Sequence, residues 1–341
     1  MMQDLIKRYK SLRTERHLAR TYQGQYAFVG MGHHSLTNLY PVLNYLGVPL
    51  KYICVTSEKK AQLIAQKYPS VKAVASLDEV LRDEEVKGVF VSATPSAHFS
   101  IASKVLKSGK SLFIEKPPCR TLAELDELIG LAQAPQLAMA GLQKRHAPAV
   151  KQLAKRLAKG GLISYDLHYL TGAYPEGNAL LDLFIHPLDL VCSLFGKPEI
   201  ISCQKVASQS YILMLRHPGI TGTLELSTAY SWTAAEEQLK VCTASGIYRL
   251  TQMETLTFEP AASTILGIPT EKIRPANKTI EYLFDRNNFN PTLVNNQVYS
   301  QGYFNELAAF ADAVEGRSGA VASDLASVRD TYLLMKEISK L

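Results

Sequence analysis

Short apolar runs alternate with helix-period stretches through the first 140 residues. Tyr26, Ala27, Phe28 and Val29 form the first run, and residues 50–55, 71–75, 86–93, 112–114 and 137–141 follow it. Runs apolar on both faces suit the central strands of a parallel sheet, where helices cover both sides. Between them the period changes. Leu39, Val42, Leu43 and Leu46, and then residues 58–67, 77–81, 98–107 and 121–133, carry helical spacing.

Repeated strand–helix units require right-handed crossovers and a parallel sheet, so residues 25–144 read as a Rossmann domain. A helix at 149–159 leads into residues 145–341, where the pattern is different. Residues 162–170, 200–206, 210–216, 222–229, 238–242 and 246–252 alternate apolar and polar, with turns such as His217-Pro218-Gly219. This is the pattern of antiparallel strands with one covered face. Residues 254–300 are weakly periodic and rich in Pro, Thr and Asn. They read as a long loop with short strands, at a substrate or subunit surface. Two amphipathic helices, 303–315 and 324–339, close the chain around the glycines at 316 and 319. Residues 1–24 read as a separate basic helical extension. Lys7, Arg8, Lys10, Arg13, Arg16, His17 and Arg20 are interspersed there with Leu5, Ile6, Tyr9, Leu12 and Leu18. Its low apolar content favours a packing or subunit-contact helix over an RNA- or membrane-binding one.

Composition narrows the class. The chain of 341 residues carries 37 Lys and Arg against 31 Asp and Glu, a net charge of +6. This mild excess suits an anionic small molecule and does not call for nucleic acid. Five widely spaced cysteines without a CxxC pair point to reduced thiols in the cytoplasm, and against a disulfide framework or a metal centre. No apolar run reaches the length of a membrane span, and the N-terminus lacks the pattern of a secretory signal.

Candidate chemistry gathers where strands end. Gly30-Met31-Gly32-His33-His34-Ser35 follows the first strand and opens a helix, the setting in which a Gly-x-Gly turn approaches a pyrophosphate. Ser35 stands at the third glycine position. The neighbouring histidines point in different directions, so the loop reads as a backbone cradle and not as a metal site. After the second strand, Thr56 occupies the place where an NAD site usually carries an acid. Ser57, Lys59 and Lys60 suit a 2′-phosphate, which favours NADP over NAD. Thr94-Pro95 and His98 follow the next core strand. The run Leu112-Phe113-Ile114 then meets Glu115-Lys116-Pro117-Pro118. Proline ends the ladder, so Glu115 and Lys116 fall at the carboxyl end of a central strand, where ligands bind in such sheets. Asp182, His186 and Asp189 have i, i+4, i+7 spacing, which puts them on one stripe if a single helix runs through them.

These pieces, in this order, resemble the Gfo/Idh/MocA family of nicotinamide-dependent oxidoreductases. The resemblance rests on Ala93-Thr94-Pro95 with His98, on Gly109-Lys110 before Glu115-Lys116-Pro117, and on Asp182 through His186 to Asp189. It rests also on residues 141–148 and on Gly302-Tyr303-Phe304-Asn305-Glu306-Leu307 with Phe310. It implies an α/β chain: a Rossmann parallel sheet, then an α/β domain with a large, mostly antiparallel open sheet. The outer face of that sheet would make a homodimer or homotetramer. The resemblance implies Lys116 and His186 as catalytic acid/base groups, with Asp182 binding substrate or orienting His186. The cofactor set it implies, with the motifs above, is Gly30, Met31, Gly32, His33, His34, Thr56, Ser57, Lys59, Ala93, Thr94, Pro95, His98, Glu115, Lys116 and Arg145. A cis Lys116–Pro117 bond is implied as well. The expected reaction is hydride transfer between NADP(H) or NAD(H) and a secondary alcohol or ketone of a sugar, cyclitol or related polyol. Phe184 stands where the family more often has glycine and is expected to narrow the pocket or change the substrate. The other reading of the chain is a non-catalytic dinucleotide-binding regulator of the same fold.

Overall fold

The computed structural model describes residues 2–274, 279–319 and 321–340. Residues 275–278 of the 254–300 stretch, and the side chains of Arg16 and His17 in the leader, lie outside the described residues. The chain forms two compact units. The first comprises Met1–Ile114, Leu131–Met139 and Leu307–Val321; the second comprises Glu115–Gly130, Ala140–Glu306 and Ala322–Leu341.

The first unit is built on a six-stranded sheet. Its strands are β1 (Gln25–Val29), β2 (Leu50–Cys54), β3 (Lys72–Val74), β4 (Val86–Val91), β5 (Ser111–Glu115) and β6 (Ala138–Gly141), in the order β3-β2-β1-β4-β5-β6. That is the doubly wound dinucleotide-binding order. The β2–β3, β1–β2, β1–β4 and β4–β5 pairs are all parallel. β5 is buried along its whole length, as a strand covered on both faces must be. The core is aromatic. Phe310, from helix Tyr303–Val314, sets its ring 5.1 Å from Phe90 and 5.9 Å from Phe113. The leader is helical over Met2–Leu18, and its Leu5, Ile6, Tyr9, Leu12 and Leu18 are exposed. The residues after it are fastened down. Arg20 and Tyr22 bond Asp312 at 2.7 and 3.1 Å, and the Gln23 and Gly24 N–H groups donate to Glu315.

The second unit carries an eight-stranded sheet. Its strands are β7 (Leu162–Leu170), β8 (Glu199–Ala207), β9 (Ser210–His217), β10 (Ile220–Ser227), β11 (Glu236–Thr243), β12 (Gly246–Thr251) and β13 (Thr255–Pro260). A small separate hairpin, β14 (Thr264–Ile265) and β15 (Ile268–Pro269), precedes the last strand, β16 (Glu281–Asp285). The order is β16-β13-β12-β11-β7-β10-β9-β8, antiparallel throughout except for the parallel β7–β10 pair. β13 to β16 are the short strands expected within the loop of residues 254–300; β13 and β16 pair and widen the sheet, with a register shift between Leu256 and Thr257. One face is covered by helix Pro148–Leu157 over β12, β13 and β16, and buries Tyr165, Leu167, Leu224, Leu226, Leu239 and Leu250. On the other face Ile201, Val206, Ile212 and Met214 are exposed. Among the described residues no helix is long and apolar enough to cross a membrane.

Candidate functional site

In the first unit a cavity of about 490 Å³ opens where β1 and β4 end. Gly30, Met31, Gly32, His33 and His34 line one side, Thr56 and Lys60 another, and Ala93, Thr94 and Ala97 a third. The two glycines do different work. Gly30 has φ +93°, and a Cβ there would stand 2.1 Å from the Ser92 carbonyl oxygen, so the turn itself requires glycine. A Cβ on Gly32 would meet nothing within 4 Å; it would project into open space that a ligand's phosphates can take. The chain then enters a π-helical turn, Ser35–Leu39, before helix Tyr40–Leu46. Ser35 is buried and bonds Ser92 at 3.0 Å, tying the glycine turn to the end of β4. A glycine fingerprint, small loops and a cavity of this shape fit a dinucleotide.

The cavity revises part of the expected cofactor set. Ser57 caps helix Glu58–Lys67, its hydroxyl accepting from the Lys60 N–H at 3.4 Å, and neither Ser57 nor Lys59 lines the cavity. Lys60 does, with its ammonium 3.5 Å from the Thr56 hydroxyl. Among the described residues no carboxylate lines it. Pro95 starts helix Pro95–Lys107 and does not reach the cavity wall. His98 is buried, with Nε2 3.0 Å from the Ala93 carbonyl, so it shapes the loop from within.

The second unit holds the other expected residues. Lys116 follows β5, its bond to Pro117 is cis, and its ammonium donates to the Asp182 carbonyl at 2.6 Å. Burial lowers the Lys116 pKa and Lys144 lowers it further, while Glu115 and Asp182 oppose them. Asp182, His186 and Asp189 do not share one helix. A short helix, Ala179–Asp182, stops, and a second, Ile185–Phe195, begins. Pro187 is the reason: in a continuous helix it would lack the N–H for Leu183 and its ring would strike that carbonyl, whereas the first turn of a new helix accepts it. The Asp182 carboxylate accepts from the Asn178 N–H at 3.1 Å and the Tyr174 hydroxyl at 3.4 Å. His186 is buried in the first turn of the second helix.

Two expectations change here. Arg145 has all five of its N–H donors engaged. Nε and Nη2 grip the Asp189 carboxylate at 2.7 and 2.5 Å, and the remaining bonds go to Ala322, Ser327 Oγ and the Ser327 carbonyl. Asp189 also accepts from Thr331 at 3.0 Å. Both are therefore structural ion-pair partners, with no donor left for a cofactor. Phe184 is fully buried and stands edge-on to Tyr169 and Tyr211, so its ring fills core and does not narrow a pocket. The sequence reading gave no role to Lys144. It is buried, pairs with Glu237, and lies 4.7 Å above the Tyr169 ring. Glu237 faces Tyr169 across the β7–β11 ladder.

Residues 25–157 match the model of an oxidoreductase family with an NAD-binding Rossmann fold, Gfo/Idh/MocA. The uncharacterized oxidoreductase YhhX of Escherichia coli is 31% identical over 144 residues, 39% of this chain and 42% of that protein. UDP-N-acetylglucosamine 3-dehydrogenase of Acidithiobacillus ferrooxidans is 34% identical over 145 residues, 41% of this chain and 43% of that one. The chain thus spans less than half the length of either relative. A dehydrogenase structure from Chromobacterium violaceum superposes with a TM-score of 0.79 over 94% of this chain and 95% of that one, at 20% identity, and shares the fold. Through residues 25–157, therefore, the chain is similar to the Gfo/Idh/MocA oxidoreductase family.

Proposed function

We propose that the protein is an NADP(H)-preferring dehydrogenase or reductase acting on a secondary alcohol or ketone of a sugar, cyclitol or related polyol. The observation that carries this reading is Lys116. Its ammonium rests on the Asp182 carbonyl, and burial draws its pKa below the ordinary lysine value. The nicotinamide ring supplies the hydride chemistry when bound. The chain supplies the rest. In oxidation, His186 takes the hydroxyl proton while Lys116 donates to the same oxygen and stabilises the charge that develops there. Asp182 positions the substrate and holds the Lys116 ammonium through its carbonyl.

The cofactor preference rests on the charge of the cavity. Lys60 is its lysine, and no carboxylate stands among its described lining residues to bind a 2′-hydroxyl and repel a 2′-phosphate. The open face of the eight-stranded sheet, with Ile201, Val206, Ile212 and Met214 exposed, supports a homodimer or homotetramer. A panel of sugars and polyols, assayed with NADP and with NAD, tests the reading. Turnover with NADP is expected. Tight NADPH binding with no turnover on any member would favour a dinucleotide-binding regulator instead.

A further inference from the structure

Inside the second unit two carboxyl side chains, those of Glu306 and Glu115, are buried. Glu306, in helix Tyr303–Val314, is 0% exposed, and neither carboxyl oxygen has a hydrogen-bond partner among the described residues. The Leu142 N–H faces it but is already bonded to the Ala140 carbonyl at 2.9 Å. Glu115 is 5% exposed, and its Oε2 accepts from the Lys116 N–H at 3.2 Å. The Glu115 side chain is held close: a Cβ on Gly141 would stand 3.1 Å from its Oε1.

The charges that raise the Glu306 pKa are both carboxylates. Glu115 faces it from β5 and Asp189 from helix Ile185–Phe195, and Asp189 is already matched by Arg145. Tyr303, on the same helix as Glu306, faces both Glu115 and Glu306. Burial, and then the Glu115 charge, push the Glu306 pKa well above the usual carboxylate range. A carboxylate that is neither hydrated nor paired takes up a proton.

We propose that Glu306 is an un-ionised carboxylic acid at neutral pH, so that Glu306 and Glu115 together present a single negative charge beside Lys116. Glu306 is then a positioning residue that acts through Glu115. Lys116 is faced by Glu115, Asp182 and Lys144. Two full negative charges at the pair would hold its ammonium too firmly for proton exchange, and none would leave Asp182 alone to oppose burial and Lys144. The role at Lys116 rests on the function proposed above; the un-ionised state of Glu306 does not.

The first test needs no turnover. Urea unfolding of the full chain is followed from about pH 5 to about pH 7 for wild type and Glu306→Gln. Folded wild type keeps a proton that the unfolded chain releases, so Glu306 contributes a rise of up to about tenfold per pH unit to the unfolding constant over this window; the neutral glutamine removes that contribution. The ratio of wild-type to variant constants is expected to climb with pH, and a flat ratio overturns the proposal. If Glu306→Gln fails to fold, infrared spectra of wild type at neutral pH decide. A carbonyl stretch from an un-ionised carboxylic acid supports the pair, and its absence overturns it. Glu115→Gln then tests the link to Lys116. The alkaline limb of kcat/KM should move down by about one pH unit, a tenfold change in ionisation constant. An unmoved limb overturns the link. Absence of turnover in wild type would count against the enzymatic reading, while the unfolding ratio still decides whether Glu306 is un-ionised.

Discussion

The two units build their candidate sites from opposite materials. The cavity of the first is made of backbone and small side chains: a glycine turn, a serine pair, two short loops and one lysine. The site of the second is made of charged side chains: Lys116 on the Asp182 carbonyl, Lys144 on Glu237, Arg145 on Asp189. A backbone cradle suits a ligand that brings its own charge and chemistry. Buried, mutually opposed charges suit a place where a proton must move at neutral pH. The contrast implies that variants of the first unit alter binding, whereas variants of the second alter turnover or stability.

Lys116→Ala is the most severe way to try that contrast. Turnover is expected to fall about 10²- to 10⁴-fold, the usual share of a positioned acid or base, while NADPH binding is unchanged. Retained turnover on an identified substrate would remove Lys116 from the chemistry. Arg145→Ala comes next. It leaves Asp189 charged and buried, at a cost of about 3–5 kcal/mol in denaturant unfolding. A loss of cofactor affinity without a loss of stability would restore Arg145 to the binding set. Lys60→Ala should weaken NADPH by about 1.5–3 kcal/mol, the range for a hydrogen bond to a charged group, and leave NADH untouched. Equal losses for both coenzymes would show that Lys60 does not read the 2′ position. Ser57→Ala is the mildest. It removes a helix cap worth about 1 kcal/mol of stability and should not change the NADPH-to-NADH ratio. A changed ratio would place Ser57 at the cofactor after all.

Legibility in the sequence divides along the same line. The parallel sheet was readable because each strand is an unbroken apolar run and each crossover has helical period. The bounds of β13 and β16 were not, because their order depends on pairing with distant strands. Leu256 is fully buried in β13, yet it stands in a Thr- and Pro-rich stretch without a sustained pattern. The Asp182–His186–Asp189 stripe shows how a period misleads. The spacing is helical, but Pro187, visible in the sequence, divides the segment. Lys60 replaces Lys59 for a similar reason: the Ser57 cap sets where the helix begins, and with it which lysine turns toward Thr56. Arg145 was beyond reach, since a buried ion pair and a ligand-binding arginine look alike until Asp189 is seen against it.

The most direct measurement is a pair of titrations of the wild-type protein, one with NADPH and one with NADH, followed by nicotinamide fluorescence. Saturation by NADPH at a concentration at least about tenfold below that of NADH is expected, the size of one phosphate–lysine contact. Tighter NADH binding would contradict the role given to Lys60. Binding of neither coenzyme would contradict the dinucleotide site itself, and with it the proposed chemistry at Lys116.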